Sequence, residues 1–150
     1  MNRKLLLFLL VVVISTGPNA NARFTKGWRY QEMFDKADLV VIARRVTTRD
    51  TEERATILAH DVIGVLTDFN AYLVLKGDKN AKTFQLHHYR LASDSDKSTT
   101  VNGPSLVEFS GEHPSFLLFL TKERDGRYAP VSGQEDPADF SVLELKGGAD

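Results

Sequence analysis

The chain has no cysteine, so no disulfide can supplement its core. It also lacks an excess of one charge: Lys and Arg total 19, Asp and Glu 20, and the formal net charge is −1. That balance gives no electrostatic reason to expect nucleic acid or an anionic membrane as partner. No Walker loop, G-x-G-x-x-G fingerprint or G-x-S-x-G elbow occurs, which removes the sequence signatures of three large enzyme classes. Beyond residue 14 no apolar run approaches the roughly 20 residues of a membrane span. No repeat or composition break marks a domain boundary. What remains is an ordinary globular composition, 42% hydrophobic and 26% charged over 150 residues, which fits one domain.

The first stretch reads as a secretory signal peptide. Asn2-Arg3-Lys4 supplies a short positive start, residues 5–14 are unbroken apolar, and Ala20-Asn21-Ala22 is an A-x-A cleavage site. A transmembrane anchor is the alternative, but the run is about half the length a bilayer needs. Cleavage after Ala22 is expected, leaving residues 23–150 as a single exported domain, periplasmic or extracellular. A bacterial setting is the expected one. Without cysteine, that domain must be held by its hydrophobic core alone.

Residues 67–91 organise the rest. Phe69, Ala71, Leu73 and Leu75 share one parity, and Asp68, Asn70 and Lys76 the other, which predicts a half-buried strand. Tyr72 and Val74 interrupt the polar face, so part of it is expected to be covered. Gly77-Asp78-Lys79-Asn80 supplies turn chemistry. The return strand sets Phe84, Leu86 and His88 against Gln85, His87 and Tyr89.

Upstream, residues 23–36 suit a short amphipathic helix with Tyr30, Met33, Phe34 and Ala37 on one face, and Trp28 as a lid on the core edge. Residues 39–43 form an apolar strand covered on both faces, followed by a surface pair, Arg44 and Arg45. Residues 47–54 read as a solvated bend, 55–59 as a short strand and 63–65 as an irregular link. Downstream, 92–105 is a polar loop, 106–109 a short strand and 110–114 a turn. Residues 116–120 are a buried strand, Arg124-Asp125-Gly126 a hairpin turn and 127–131 its return strand. Residues 140–145 suit a last strand or a helical turn. One helix with six or seven strands and no helical crossover predicts a mainly β barrel, closed or partly open.

Three segments, DLVVIARRV (38–46), YLVLKGD (72–78) and GEHPSFLLFL (111–120) leading to DGRYAPVSG (125–133), resemble exported bacterial netrin-like domains. Those domains are related to the tissue inhibitors of metalloproteinases. The resemblance implies a small OB-like antiparallel barrel of five to seven strands with a short N-terminal helix. The inhibitors chelate zinc through an N-terminal cysteine. Here the expected mature N-terminus is Arg23-Phe24, so no inhibitory residue carries over.

Chemistry is sparse. His87 and His88 are adjacent on a strand and point to opposite faces, so they do not share a metal with each other. No ligand spacing joins either to His60 or His113, and all four are expected to be ordinary edge or core histidines. The pairs Glu52-Glu53, Glu135-Asp136 and Asp94 with Asp96 fall in expected loops and read as solvated charge. Asp94-Ser95-Asp96 fails the calcium-loop template, having Thr99 at position six and Ser105 at twelve. No catalytic, cofactor-binding or metal-ligating residue is assigned, and no cofactor is expected. The expected function is a non-enzymatic exported binding module whose partner is another exported protein or an envelope component, not nucleic acid. Its working surface is expected near residue 23 and the 92–105 loop. An exported hydrolase or metal-binding protein and a structural envelope component are the alternatives.

Overall fold

The structure is a computed structural model that describes residues 27–93, 104–109, 115–136 and 139–145. Its elements are one helix, α1 (Tyr30–Lys36), and six strands: β1 (Leu39–Ile57), β2 (His60–Lys76), β3 (Thr83–Leu91), β4 (Ser115–Lys122), β5 (Tyr128–Pro130) and β6 (Val142–Glu144). β1 pairs with both β2 and β4, β2 with β3, β3 with β5 and β5 with β4, which closes a ring of five strands. β6 continues the sheet along β4. Every pairing is antiparallel except that of β3 with β5. The expected small, mainly β barrel with a short N-terminal helix is therefore the architecture found, except that the β3–β5 pairing departs from the expected antiparallel order.

The helix is shorter than expected. Arg29 already has extended backbone angles as its N-cap, and residues 23–26 lie outside the described part. Met33 is its buried residue and covers Val40 and Phe119, which are register partners on β1 and β4. Trp28 packs against the same cluster, as its lid role anticipates. The barrel interior is built around Phe69, which stacks on Phe84 at 5.4 Å and meets Phe109 and Phe116 edge-on at 5.5 and 6.0 Å.

Two expectations between residues 47 and 65 are corrected. Residues 47–54 are not a bend and 63–65 are not a link; both lie within β1 and β2, which form one long hairpin. Its turn is Leu58-Ala59, with φ of +51° and +66°. This left-handed pair suits a two-residue hairpin, but neither residue is a usual turn former. The hairpin also carries bulges. Thr51, Glu52 and Glu53 together oppose Gly64, and Val46, Tyr72 and Leu75 are each one residue in excess of the partner strand. Each bulge kinks and twists the ribbon, which helps a sheet of so few strands to close. The bulge at Tyr72 also inverts the expected parity, so Val74 is buried while Leu73 and Leu75 are exposed.

Residues 106–109 form no strand but pack against the barrel, with Val107 in its core. The 140–145 segment resolves to β6, and the turn expected at 110–114 lies outside the described residues.

The Leu58-Ala59 turn generates a direct test. Replacing the pair by Asn-Gly relieves two left-handed residues and removes no buried side chain, since Leu58 is 40% exposed. Leu58→Asn with Ala59→Gly is expected to stabilise the protein by about 1 kcal/mol, read from urea midpoints at unchanged m-value.

Candidate functional site

The register of β2 with β3 sorts the residues of the central hairpin. Val65 opposite His88, Thr67 opposite Leu86 and Phe69 opposite Phe84 alternate with Gly64 opposite Tyr89, Leu66 opposite His87, Asp68 opposite Gln85 and Asn70 opposite Thr83. Phe69, Phe84 and Leu86 belong to the barrel interior; the second set lines the other face. His87 and His88 therefore do point to opposite sides, and each does something different.

On the outer face the bulge of β1 delivers an acid. A Cβ on Gly64 would lie 2.6 Å from Thr51 Oγ1 and 2.9 Å from the Glu53 Cβ, so only glycine lets this arm cross the strand so closely. The Thr51 hydroxyl donates to the Gly64 carbonyl at 3.0 Å and fixes the crossing. Glu53 then receives the Tyr89 hydroxyl on Oε1 and presents Oε2 to His87 Nε2 at 3.3 Å. From the opposite side Glu123, at the end of β4, meets His87 Nδ1 at 3.0 Å. Arg127 completes the group, with its guanidinium 3.5 Å from Glu123, 3.6 Å from Glu53 and 2.6 Å from Asp125.

These contacts explain the pKa shifts. The Tyr89 hydroxyl, followed by His87 and Arg127, outweighs burial and holds the Glu53 carboxyl below its usual value. Burial, followed by Glu53, pushes the Tyr89 phenol up to about 12. The Glu52-Glu53 and Glu135-Asp136 pairs are thus not simply solvated. Asp136 is 2% exposed and accepts the Ser141 and Val142 N–H groups and the Ser132 hydroxyl, tying the 132–142 segment together. Asp94 and Asp96 lie outside the described residues, as does His113.

The position of the Glu53–His87–Glu123–Arg127 group gives it a mechanical role. β3 and β5 share a single backbone pair, Leu86 with Tyr128. His87 sits on β3, Glu123 and Arg127 on the β4–β5 hairpin and Glu53 on the β1 arm. Side chains therefore carry the seam where backbone pairing is thinnest, helped by Phe84 meeting Tyr128 edge-on at 5.9 Å. Among the described residues no group of three or more His, Asp or Glu side chains is arranged to hold a metal ion.

Next to this latch lies a groove of about 600 Å³ lined by Asp68, Asn70, Thr83, Gln85, Arg127 and Tyr128, among others. Its charged groups are matched with each other or with neighbours. Asp68 takes Arg49 at 2.6 Å and the Gln85 amide at 2.8 Å, and Arg127 faces Asp125 and Glu123. Sequence reasoning did not find this groove, because its walls come from segments some 40 residues apart. The expected surface pair Arg44 and Arg45 also divides: Arg44 is exposed, whereas Arg45 is half-buried and donates to the Phe109 carbonyl.

On the inner face His88 ends a hydrogen-bond chain whose directions follow from one fact. The Val107 carbonyl only accepts, so His88 Nδ1 donates to it at 3.0 Å. In the neutral ring Nε2 then accepts from the Thr67 hydroxyl at 2.9 Å, and Thr67 accepts from Thr48 at 3.0 Å. Burial, against the pull of the Val107 carbonyl, brings the His88 pKa from 6.5 down to about 4. Below pH 6.5 the unfolded chain takes a proton that the fold refuses until about pH 4. Stability from this group is thus complete above pH 6.5 and falls, by roughly 3 kcal/mol, as pH drops toward 4. His88→Gln keeps a donor for Val107 and removes the titration. Urea unfolding from pH 7 to 4 is expected to show a shallower loss of stability in the variant, and identical slopes would contradict the assignment.

No protein-family model matches the chain, and no curated protein matches it.

Proposed function

We propose that the protein is an exported binding module and that the groove beside the β4–β5 turn is its ligand face. The observation that carries this reading is the groove itself: a cleft of about 600 Å³ beside the β4–β5 turn, lined by Phe69 and Phe84 of the barrel interior as well as by outward-facing polar groups, with its ionised groups already paired. Such a cleft offers shape and neutral hydrogen-bonding groups to a ligand, while its carboxylates and guanidinium are engaged with one another or with neighbours. Export rests on the sequence pattern of residues 1–22, which reads as a signal peptide with an A-x-A site at Ala20-Asn21-Ala22. The three segments that resemble netrin-like domains suit the barrel, but inhibition of metalloproteinases through a chelating N-terminal cysteine is not proposed for a chain without cysteine. The partner is another exported protein or an envelope component.

A hydrolase is the second reading, and one contact favours it. His87 and Glu123 approach within 3.0 Å, a separation that general acid–base chemistry requires. Yet the His87 side chain is 4% exposed, with carboxylates at both ring nitrogens, so neither nitrogen is turned to a substrate. The latch is better suited to holding the groove wall than to transferring protons.

Thr83 is exposed, and Thr83→Trp fills the groove without touching the core. The full-length protein as bait against the exported and envelope fractions of its source is expected to retain a discrete, saturable binder. The variant should weaken that retention by about tenfold or more, with its thermal midpoint unchanged. Equal retention by both proteins would move the ligand face elsewhere. Turnover of a retained molecule that disappears in His87→Ala would replace the module with the hydrolase.

A further inference from the structure

We infer that the groove takes an uncharged oligosaccharide. This rests on the binding-module reading above and names the class of its ligand. Once its internal contacts are counted, the groove has little charge left to offer. Asp68 is committed to Arg49 and Gln85, and Arg127 to Asp125, Glu123 and Glu53. Asn70, Thr83 and Tyr128 make no side-chain hydrogen bond among the described residues, and Gln85 uses only its N–H group. The remaining capacity is one amide, one amide oxygen and two hydroxyls, all neutral.

Their arrangement adds a second constraint. Asn70 and Thr83 are direct cross-strand partners, and Asp68 with Gln85 forms the next pair on the same face. Groups on adjacent pairs of one ladder face are about 7 Å apart along the strand, a spacing suited to hydroxyls on one sugar ring or on neighbouring rings. Tyr128, whose half-buried ring packs edge-on with Phe84 against the core, also lines the groove, and an aromatic ring suits the C–H groups of a sugar.

The competing classes fit less well. A nucleic acid needs cations for its phosphates, and Arg49 and Arg127 are both held by carboxylates. An extended peptide adds itself to an open strand edge; β2 is paired on both sides at Asp68 and Asn70, and the stretch of β3 left without a second partner beside the groove is only three residues, Thr83, Phe84 and Gln85. An uncharged polyhydroxylated ligand requires neither a free cation nor a free edge.

The test is titration of the full-length protein with four separate probes, followed by ¹⁵N–¹H chemical shifts. The probes are chitotetraose, cellotetraose, a heparin-derived tetrasaccharide and tetra-alanine. One or both neutral sugars should move the amides of Asn70, Thr83, Gln85, Gly126 and Tyr128, and the side-chain amides of Asn70 and Gln85, saturably. Asn70→Ala should weaken that binding about fivefold, the share of one neutral hydrogen bond, without lowering the thermal midpoint. Movement of the groove amides only by heparin or by tetra-alanine would overturn the sugar assignment and leave the binding module standing. No movement by any probe would also overturn it, and the module itself then stands or falls on whether Thr83→Trp weakens the retained binder.

Discussion

The barrel depends on how its seam is closed. A ring of five strands needs every neighbour joined, yet β3 and β5 meet at one residue pair, Leu86 with Tyr128. One parallel bridge cannot hold two strands together against their lost conformational freedom. The missing cohesion comes from side chains gathered around His87, which is clasped by Glu123 from one side and Glu53 from the other. Arg127 lies within 3.6 Å of both acids and offsets part of their charge. The contacts act through charge and packing rather than a complete set of hydrogen bonds, since the buried His87 Nε2 and Arg127 Nε have no hydrogen-bond partner among the described residues. Removing either acid leaves the buried His87 ring short of a partner.

Gly64 and the bulge opposite it belong to the same design. Without room above Gly64 the β1 arm would not cross the strand, and Glu53 would not reach His87 or Tyr89. The groove is built from the same parts. Arg127 belongs to the latch and lines the groove, and the Asn70–Thr83 and Asp68–Gln85 pairs continue the ladder face that carries His87. Closure thus consumes the ionic groups and leaves neutral ones facing outward. The proposed ligand chemistry is a consequence of how the fold is shut.

Much of this was legible in the sequence. The period-2 pattern of residues 67–91, the double-sided apolar runs at 39–43 and 116–120 and the Asp125-Gly126 turn placed the barrel, because alternation and turn chemistry are local properties. The opposite facing of His87 and His88 followed from strand geometry alone. The first hairpin escaped because Leu58-Ala59 carries no turn signature and its arms are polar. Gly64 did carry a signal, a glycine amid strand-forming residues, which marks a bulge or a close approach. The latch was not readable, since Glu53, His87 and Glu123 are far apart in the chain and each alone looks like a solvated charge or an edge histidine. Asp136 misled in the same way, being a buried anchor in a segment that reads as loop.

The claim that side chains close the seam is tested most directly by native-state hydrogen exchange in Glu123→Gln, which keeps the shape of the side chain and removes its charge. If the latch holds the seam, protection falls first and most at the amides of β5 and the neighbouring β4–β5 turn. The β1–β2 and β2–β3 ladders then exchange as in the parent protein. Loss spread evenly over all strands, or no loss at β5, would contradict it and return closure of the barrel to its apolar interior alone.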